Sequence, residues 1–229
     1  MSAIDSDVGR PCDAQVGSTA EDGPRKAWGE VAAGVLLLAL AGLVGLDLAL
    51  HPGSDGFDRW IYSRVSMHFH SRTLDAIADV GNPLVVAVVG LVGALLVVRR
   101  DRRRAVACLA GPFVGGVLTE YVLKPLVDPR AGGLTFPSGH TVGVSAIVVV
   151  LALVLPRKAR PYVIAVGAAL GVTACYAVVV LGWHSPTDAV AGIAVGCGAV
   201  LVVDSGLKSL PTLSRLVTRH NESGRSAQR

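Results

Sequence analysis

The sequence predicts an all-α, polytopic membrane protein with six transmembrane helices and an interfacial helix between the first and the second. Three observations lead there. Apolar runs of roughly 15–24 residues recur along the chain, and about 20 apolar residues are what a hydrocarbon core of about 30 Å requires of a helix. Only 17% of the 229 residues are charged and 52% are hydrophobic, whereas average soluble domains carry about 25% charged residues. The basic residues also fall mainly on alternate connections, as the positive-inside bias requires.

The first 26 residues are polar and lack an apolar h-region, so they read as a cytoplasmic tail and not as a cleaved signal peptide. Six spans follow, over Ala27–Leu50, Pro83–Val98, Ala105–Val127, His140–Leu155, Tyr162–Leu181 and Ala189–Leu207. The second and fourth are short and extend into the adjoining interface. A membrane leaves no other partner for the backbone polar groups, which makes helices the default for every span. The membrane domain covers residues 27–209. The tail from 210 to 229, rich in Ser and Arg, has a disordered composition.

Between the first two spans, Asp55–Val80 is too polar to cross. Trp60, Ile61, Val65, Met67, Phe69, Leu74, Ile77 and Ala78 recur among charges there, the pattern of a helix lying on the outer leaflet. His68 and His70 in that stretch lack the further ligands that a metal site needs, and no metal or other cofactor is expected.

With the N-terminus inside, 16 of the 21 basic residues lie on the inner side, including the five arginines between Arg99 and Arg104. Both termini are then cytoplasmic, in agreement with an even number of spans, and the chain is a multi-pass protein of the cell membrane. The net charge of +4 is accounted for by this topology and by anionic headgroups, and nucleic acid is not an expected partner. Cys108, Cys175 and Cys197 lie inside apolar spans, and Cys12 lies in the polar tail. Their spacing suits neither a metal knuckle nor a disulfide framework. Small residues repeat at Gly111 and Gly115, Gly167 and Gly171, and Gly192 and Gly196, a spacing that serves close helix packing within one bundle or in a homodimer.

This topology brings three polar clusters to the outer face. Lys124 and Arg130 supply positive charge, and a guanidinium grips two phosphate oxygens at once. Pro137-Ser138-Gly139-His140 opens the fourth span, where free backbone N–H groups favour an anion and Ser138 also serves as the helix cap. His184 and Asp188 occupy the last outer loop. Two histidines divide the labour of phosphoryl transfer, one attacking phosphorus and one donating to the leaving oxygen. Asp188 is placed to accept the imidazole Nδ1 proton; Ser185-Pro186-Thr187-Asp188 is equally a capping-box helix start.

At these residues the chain resembles the type 2 phosphatidic acid phosphatase (PAP2) superfamily of membrane lipid phosphatases. The family pattern has Lys, then Arg-Pro seven residues later, then Pro-Ser-Gly-His, then Ser-Arg, five residues, His, three residues and Asp. The matching positions are Lys124, Arg130, Pro137-Ser138-Gly139-His140, His184 and Asp188. The resemblance spans about residues 55–207 and implies a metal-free phosphatase acting on a membrane lipid phosphate or diphosphate at the extracytoplasmic face. His184 would form a phosphohistidine, Asp188 would orient it, and His140 would be the general acid. Lys124, Arg130, Ser138 and Gly139 would bind the phosphoryl oxygens. A lipid phosphotransferase, or a phospholipid-binding or transport protein of the same fold, is the alternative.

Two departures stand out. Arg130 comes six residues after Lys124 and follows a proline instead of preceding one, and the Ser-Arg of the third motif falls on Ala177-Val178. Losing a preorganised phosphate donor costs on the order of 2–4 kcal/mol of transition-state stabilisation. Arg59, Arg64 and Arg72 are the other outer-face cations that this topology provides.

Overall fold

The computed structural model describes residues 22–51, 56–65, 71–127 and 136–209, and these are helical with short connections. In chain order the helices are α1 (Asp22–Leu50), α2 (Gly56–Tyr62), α3 (Arg72–Asp79), α4 (Pro83–Val97), α5 (Arg102–Val117), α6 (Lys124–Val127), α7 (Gly139–Val154), α8 (Arg160–Val180) and α9 (Pro186–Ser209). A π-helical turn, Leu118–Leu123, joins α5 to α6, and a 3-10 turn, Arg157–Ala159, precedes α8. Four stretches are long and apolar enough to cross a membrane: Trp28–Leu50, Arg102–Val127, Arg157–Val180 and Pro186–Lys208. A fifth arises if α3 and α4, bent by 46° at their junction, form one span; α7 is apolar but shorter. Large apolar side chains such as Leu84, Leu95, Phe113 and Val172 face outward, which in water would be an aggregation liability and in lipid is the solvated surface. These are the features of a membrane protein.

The stretch expected as one interfacial helix is two short ones. Ser71 caps α3 by accepting from the Thr73 N–H at 3.3 Å, and α3 runs into the bend before α4, where Asn82 accepts from the Leu84 N–H at 3.0 Å and Pro83 opens the helix. His68 and His70 lie outside the described residues. The third span is also not a uniform α-helix. Pro125 lacks an N–H and its ring crowds the preceding turn; just before it the chain is wound wide, with the Lys124 N–H donating to the Thr119 carbonyl five residues back.

Helix α9 is the hub, packing against α1, α5 and α7. Small residues permit this. A methyl group at Gly192 would collide with Thr141 Oγ1, and one at Gly196 would collide with Ser145 Oγ and the Val142 carbonyl, both on α7. One at Gly111 would come within 2.9 Å of Val200 on α9, and one at Gly171 within 2.9 Å of Ile193. The four-residue glycine spacings are thus covered by helices of the same chain. Cys108, Cys175 and Cys197 are free thiols, as their apolar setting requires. At one end of the bundle Lys208 bridges Glu30 of α1 at 2.7 Å and the buried Asp204 at 2.6 Å. The start of α1 and the end of α9 therefore lie side by side.

At the opposite end α8 stops in a left-handed cap. Gly182 has φ 74°, its N–H donates to the Val179 carbonyl at 3.0 Å, and the Trp183 N–H donates to the Val178 carbonyl at 3.0 Å. This double closure is the Schellman arrangement. A side chain there costs about 1–2 kcal/mol, so Gly182→Ala is expected to lower the thermal midpoint of the detergent-purified protein, with Gly182→Asn recovering most of the loss. An unchanged midpoint in Gly182→Ala would rule out the left-handed cap.

Candidate active site

The end of the bundle away from the Lys208 clasp holds the described ones of the predicted site residues: Lys124, Ser138, Gly139, His140, His184 and Asp188. Ser138 is fully buried. Its N–H donates to the Asp188 carbonyl at 3.0 Å, which joins the start of α7 to the start of α9. Its Oγ accepts from the Thr141 N–H at 3.5 Å, while Thr141 Oγ1 donates to the Ser138 carbonyl at 3.1 Å. The sequence motif is therefore a helix cap pinned by its own first turn. Next to it the α3–α4 bend sits on α7: a methyl at Gly81 would strike the His140 carbonyl, and one at Gly143 would strike the Gly81 carbonyl.

His140 sits with its ring centroid 5.2 Å from that of Trp183, tilted by 42°. Its electrostatic surroundings include His184, Asp79 and Lys124, so the second motif, the third motif and the first-motif lysine converge on one imidazole. His184 follows the Gly182 cap, and its backbone N–H also reaches the Val178 carbonyl, at 3.2 Å. The His184 side chain is buried, and its Nδ1 has no hydrogen-bond partner among the described residues.

Asp188 serves the helix first. Its Oδ2 accepts from the Ser185 N–H at 3.0 Å, and its own N–H donates to Ser185 Oγ at 3.1 Å, which is the capping box. The same Oδ2 lies 3.7 Å from His184 Nδ1. That is too long for the hydrogen bond read from the spacing, though close enough for charge attraction. The imidazole is held by its backbone turn and by burial, with the carboxylate beside it.

Two residues that sequence reasoning did not single out complete the site. Glu120, on the wide turn, receives a hydrogen bond from Lys124 Nζ at 2.6 Å, and its Oε1 would stand 3.4 Å from a methyl at Gly139. A carboxylate thus occupies the space beside the α7 N-terminus and engages Lys124. The Glu-x-x-x-Lys spacing was the available signal for the pair, whereas nothing local connects either residue to Gly139. Asp58 of α2 is buried and accepts from the Thr187 N–H at 2.9 Å and from Thr187 Oγ1 at 2.8 Å. It anchors α2 to the first turn of α9 across 129 residues of sequence, a link no spacing rule reveals.

Val178, at the arginine position of the third motif, is fully buried in an apolar cluster with Ala78, Leu181 and Trp183. Arg130 lies outside the described residues. Of the other arginines named above, Arg64 is folded onto its own helix, donating to the Trp60 carbonyl at 2.9 Å with its guanidinium 4.1 Å from the Trp60 ring centre. From Glu120 and Gly139 an apolar groove of about 420 Å³ leads between α4, α5 and α7, past Val142 and Phe113 to Gly90 and Cys108.

A comparison with family models gives one match, the PAP2 superfamily, over residues 119–205. No curated protein and no solved structure matches the chain. The matched segment runs from Thr119, on the wide turn before Lys124, through Ser138, His140, His184 and Asp188 to Ser205. Over residues 119–205 this chain is thus similar to the PAP2 superfamily.

Proposed function

We propose that this chain is an integral-membrane phosphatase that hydrolyses a lipid phosphate or diphosphate through a phosphohistidine, without a metal ion. The match of residues 119–205 to the PAP2 superfamily supports the class of reaction. The observation that carries the reading is the joining of the α7 start to the α9 start through Ser138 N–H and the Asp188 carbonyl, which sets His140 and His184 in one electrostatic neighbourhood with Lys124. In this reading the chain crosses the membrane six times, with α3–α4 and α7 completing the count. Both termini are cytoplasmic, α2 lies in the outer interface, and the site opens to the extracytoplasmic side. A polyprenyl carrier phosphate or diphosphate, or a phosphatidic-acid-type lipid, is the substrate class.

The chemistry proceeds in two balanced steps. His184 Nε2 attacks phosphorus, the P–O bond to the lipid breaks, and protonated His140 gives its proton to the leaving oxygen. Water then attacks phosphorus, the P–N bond breaks, and His140 takes the water proton. Asp188 favours the charged imidazole of the intermediate; contacts of this kind are often long before substrate binds. The backbone N–H groups at Ser138 and Gly139, with Lys124 and Arg130, hold the phosphoryl oxygens. The apolar groove beside Glu120 and Gly139 suits a substrate whose chain remains in the bilayer while its phosphate reaches the histidines.

A second reading, a phospholipid-binding protein with little turnover, is favoured by one feature. The third-motif arginine is a valine directed into an apolar cluster, so a phosphate clamp is missing from that position. A phosphotransferase would differ only in the acceptor of the phosphoryl group.

Three outcomes test these readings. The purified protein is expected to release phosphate from a panel of lipid phosphates in the presence of a chelator, and His184→Ala is expected to fall to background. Background release from both proteins would sink the enzyme reading, and loss of activity with chelator would sink the metal-free one. Glu120→Gln, which removes the carboxylate that Lys124 Nζ engages, should lower KM about three- to tenfold with little change in kcat, in line with about 1 kcal/mol for an exposed ion pair; a raised KM would instead make Glu120 a support for Lys124. Val178→Arg should lower the thermal midpoint without raising activity, since an unpaired charge would enter an apolar cluster. A gain in kcat would show that an arginine there reaches the phosphate.

A further inference from the structure

The opposite end of the bundle carries a second charged cleft that the phosphatase reading does not use. The α4–α5 turn and the α7–α8 connection, more than fifty residues apart in sequence, close around a space of about 700 Å³. Arg99, Arg100, Arg104, Arg157 and Arg160 line it, with Asp101 as the one acidic lining residue. That aspartate is already engaged: it caps α5 by accepting from the Arg104 N–H at 3.1 Å, and its other oxygen lies 3.2 Å from Arg104 Nε. Arg104 Nη1 also donates to the Leu153 carbonyl at 3.3 Å, which ties α5 to the end of α7. Arg160 Nε is buried in the cleft wall without a hydrogen-bond partner among the described residues. A buried guanidinium nitrogen left unmatched is costly unless a ligand supplies the acceptor.

The remaining lining is aliphatic. Leu95 and Leu96 of α4 stand mostly exposed, and Val154 and Leu155 at the end of α7 face them. Topology alone needs positive charge on this side; it does not need charges from two distant connections gathered over an apolar floor. A patch that is basic at its rim and aliphatic below fits a molecule with a phosphate at one end and hydrocarbon at the other. Guanidinium groups bind phosphate in bidentate fashion, and basic pockets between membrane helices suit anionic headgroups.

We propose that this cleft is a binding site for an anionic phospholipid of the adjoining leaflet. The headgroup phosphate rests on Arg160 and Arg157, with Arg100 at the rim, and the chains lie along Leu95 and Leu96. The lipid bridges the α4–α5 and α7–α8 connections and so fastens the far ends of the helices whose near ends carry His140 and His184.

The test is thermal unfolding of delipidated full-length protein in a nonionic detergent, with short-chain phosphatidylglycerol or phosphatidylcholine added at equal concentration. Phosphatidylglycerol should raise the midpoint several degrees more than phosphatidylcholine, and 0.5 M salt should reduce that margin. The margin should fall to less than half in Arg157→Gln/Arg160→Gln. Arg100→Gln/Arg157→Gln, which alters only exposed side chains, should reduce it as well and serves if the first pair does not fold. Equal shifts from the two lipids, or a margin unchanged in the folded variants, would overturn the proposal. So would a full shift from inorganic diphosphate, which would make the cleft a soluble-anion site. Because the readout is unfolding and not phosphate release, failure of the phosphatase reading would leave this result interpretable.

Discussion

The close crossing of α7 and α9 is the contact on which the rest of the site depends. Gly192 and Gly196 let α9 approach until its surface meets Thr141, Ser145 and the Val142 carbonyl. At that separation the Ser138 N–H reaches the Asp188 carbonyl, and two helix starts that are 47 positions apart become one structural unit. Van der Waals contact and buried hydrogen bonds carry this packing, because lipid offers no hydrophobic gain for bringing apolar helices together. Larger side chains at either glycine would push the α7 start, with His140, away from the α9 start.

Much of this was legible in the sequence because the relevant constraints are local. Length and apolarity mark a membrane helix without reference to neighbours, so the apolar stretches emerged close to their observed positions. Pro-Ser-Gly-His and His-x-x-x-Asp are likewise short patterns tied to helix starts, and both starts are where they were expected. The glycine spacings marked contacting faces correctly, although the identity of each partner helix came only with the fold. What escaped depends on contacts between distant segments or on broken periodicity. Asp58 reads as one more charge on an interfacial helix, yet it is buried against Thr187. The wide turn before Lys124 adds a residue to the helical repeat, so the phase of α5 does not carry through to Lys124 and Glu120. The absence of an arginine at Val178 was visible in the motif; its enclosure by Ala78 and Trp183 was not.

Positive charge is distributed unequally between the two ends of the molecule. Near the histidines, Lys124 is held by Glu120, and Arg64 is stacked on Trp60. At the far end, five arginines share one cleft with a single aspartate.

The Lys208 contact with Glu30 and Asp204 has a consequence for the architecture as a whole. It makes the first and last described helices neighbours, while α9 also packs against α5 and α7. The matched segment, 119–205, contains Ser138, His140, His184 and Asp188 but only part of the bundle. Of the helices outside it, α1 and α5 pack directly on α9. The helices outside the match therefore bear on its geometry through shape and small-residue contacts, as Gly111 of α5 does against Val200 of α9.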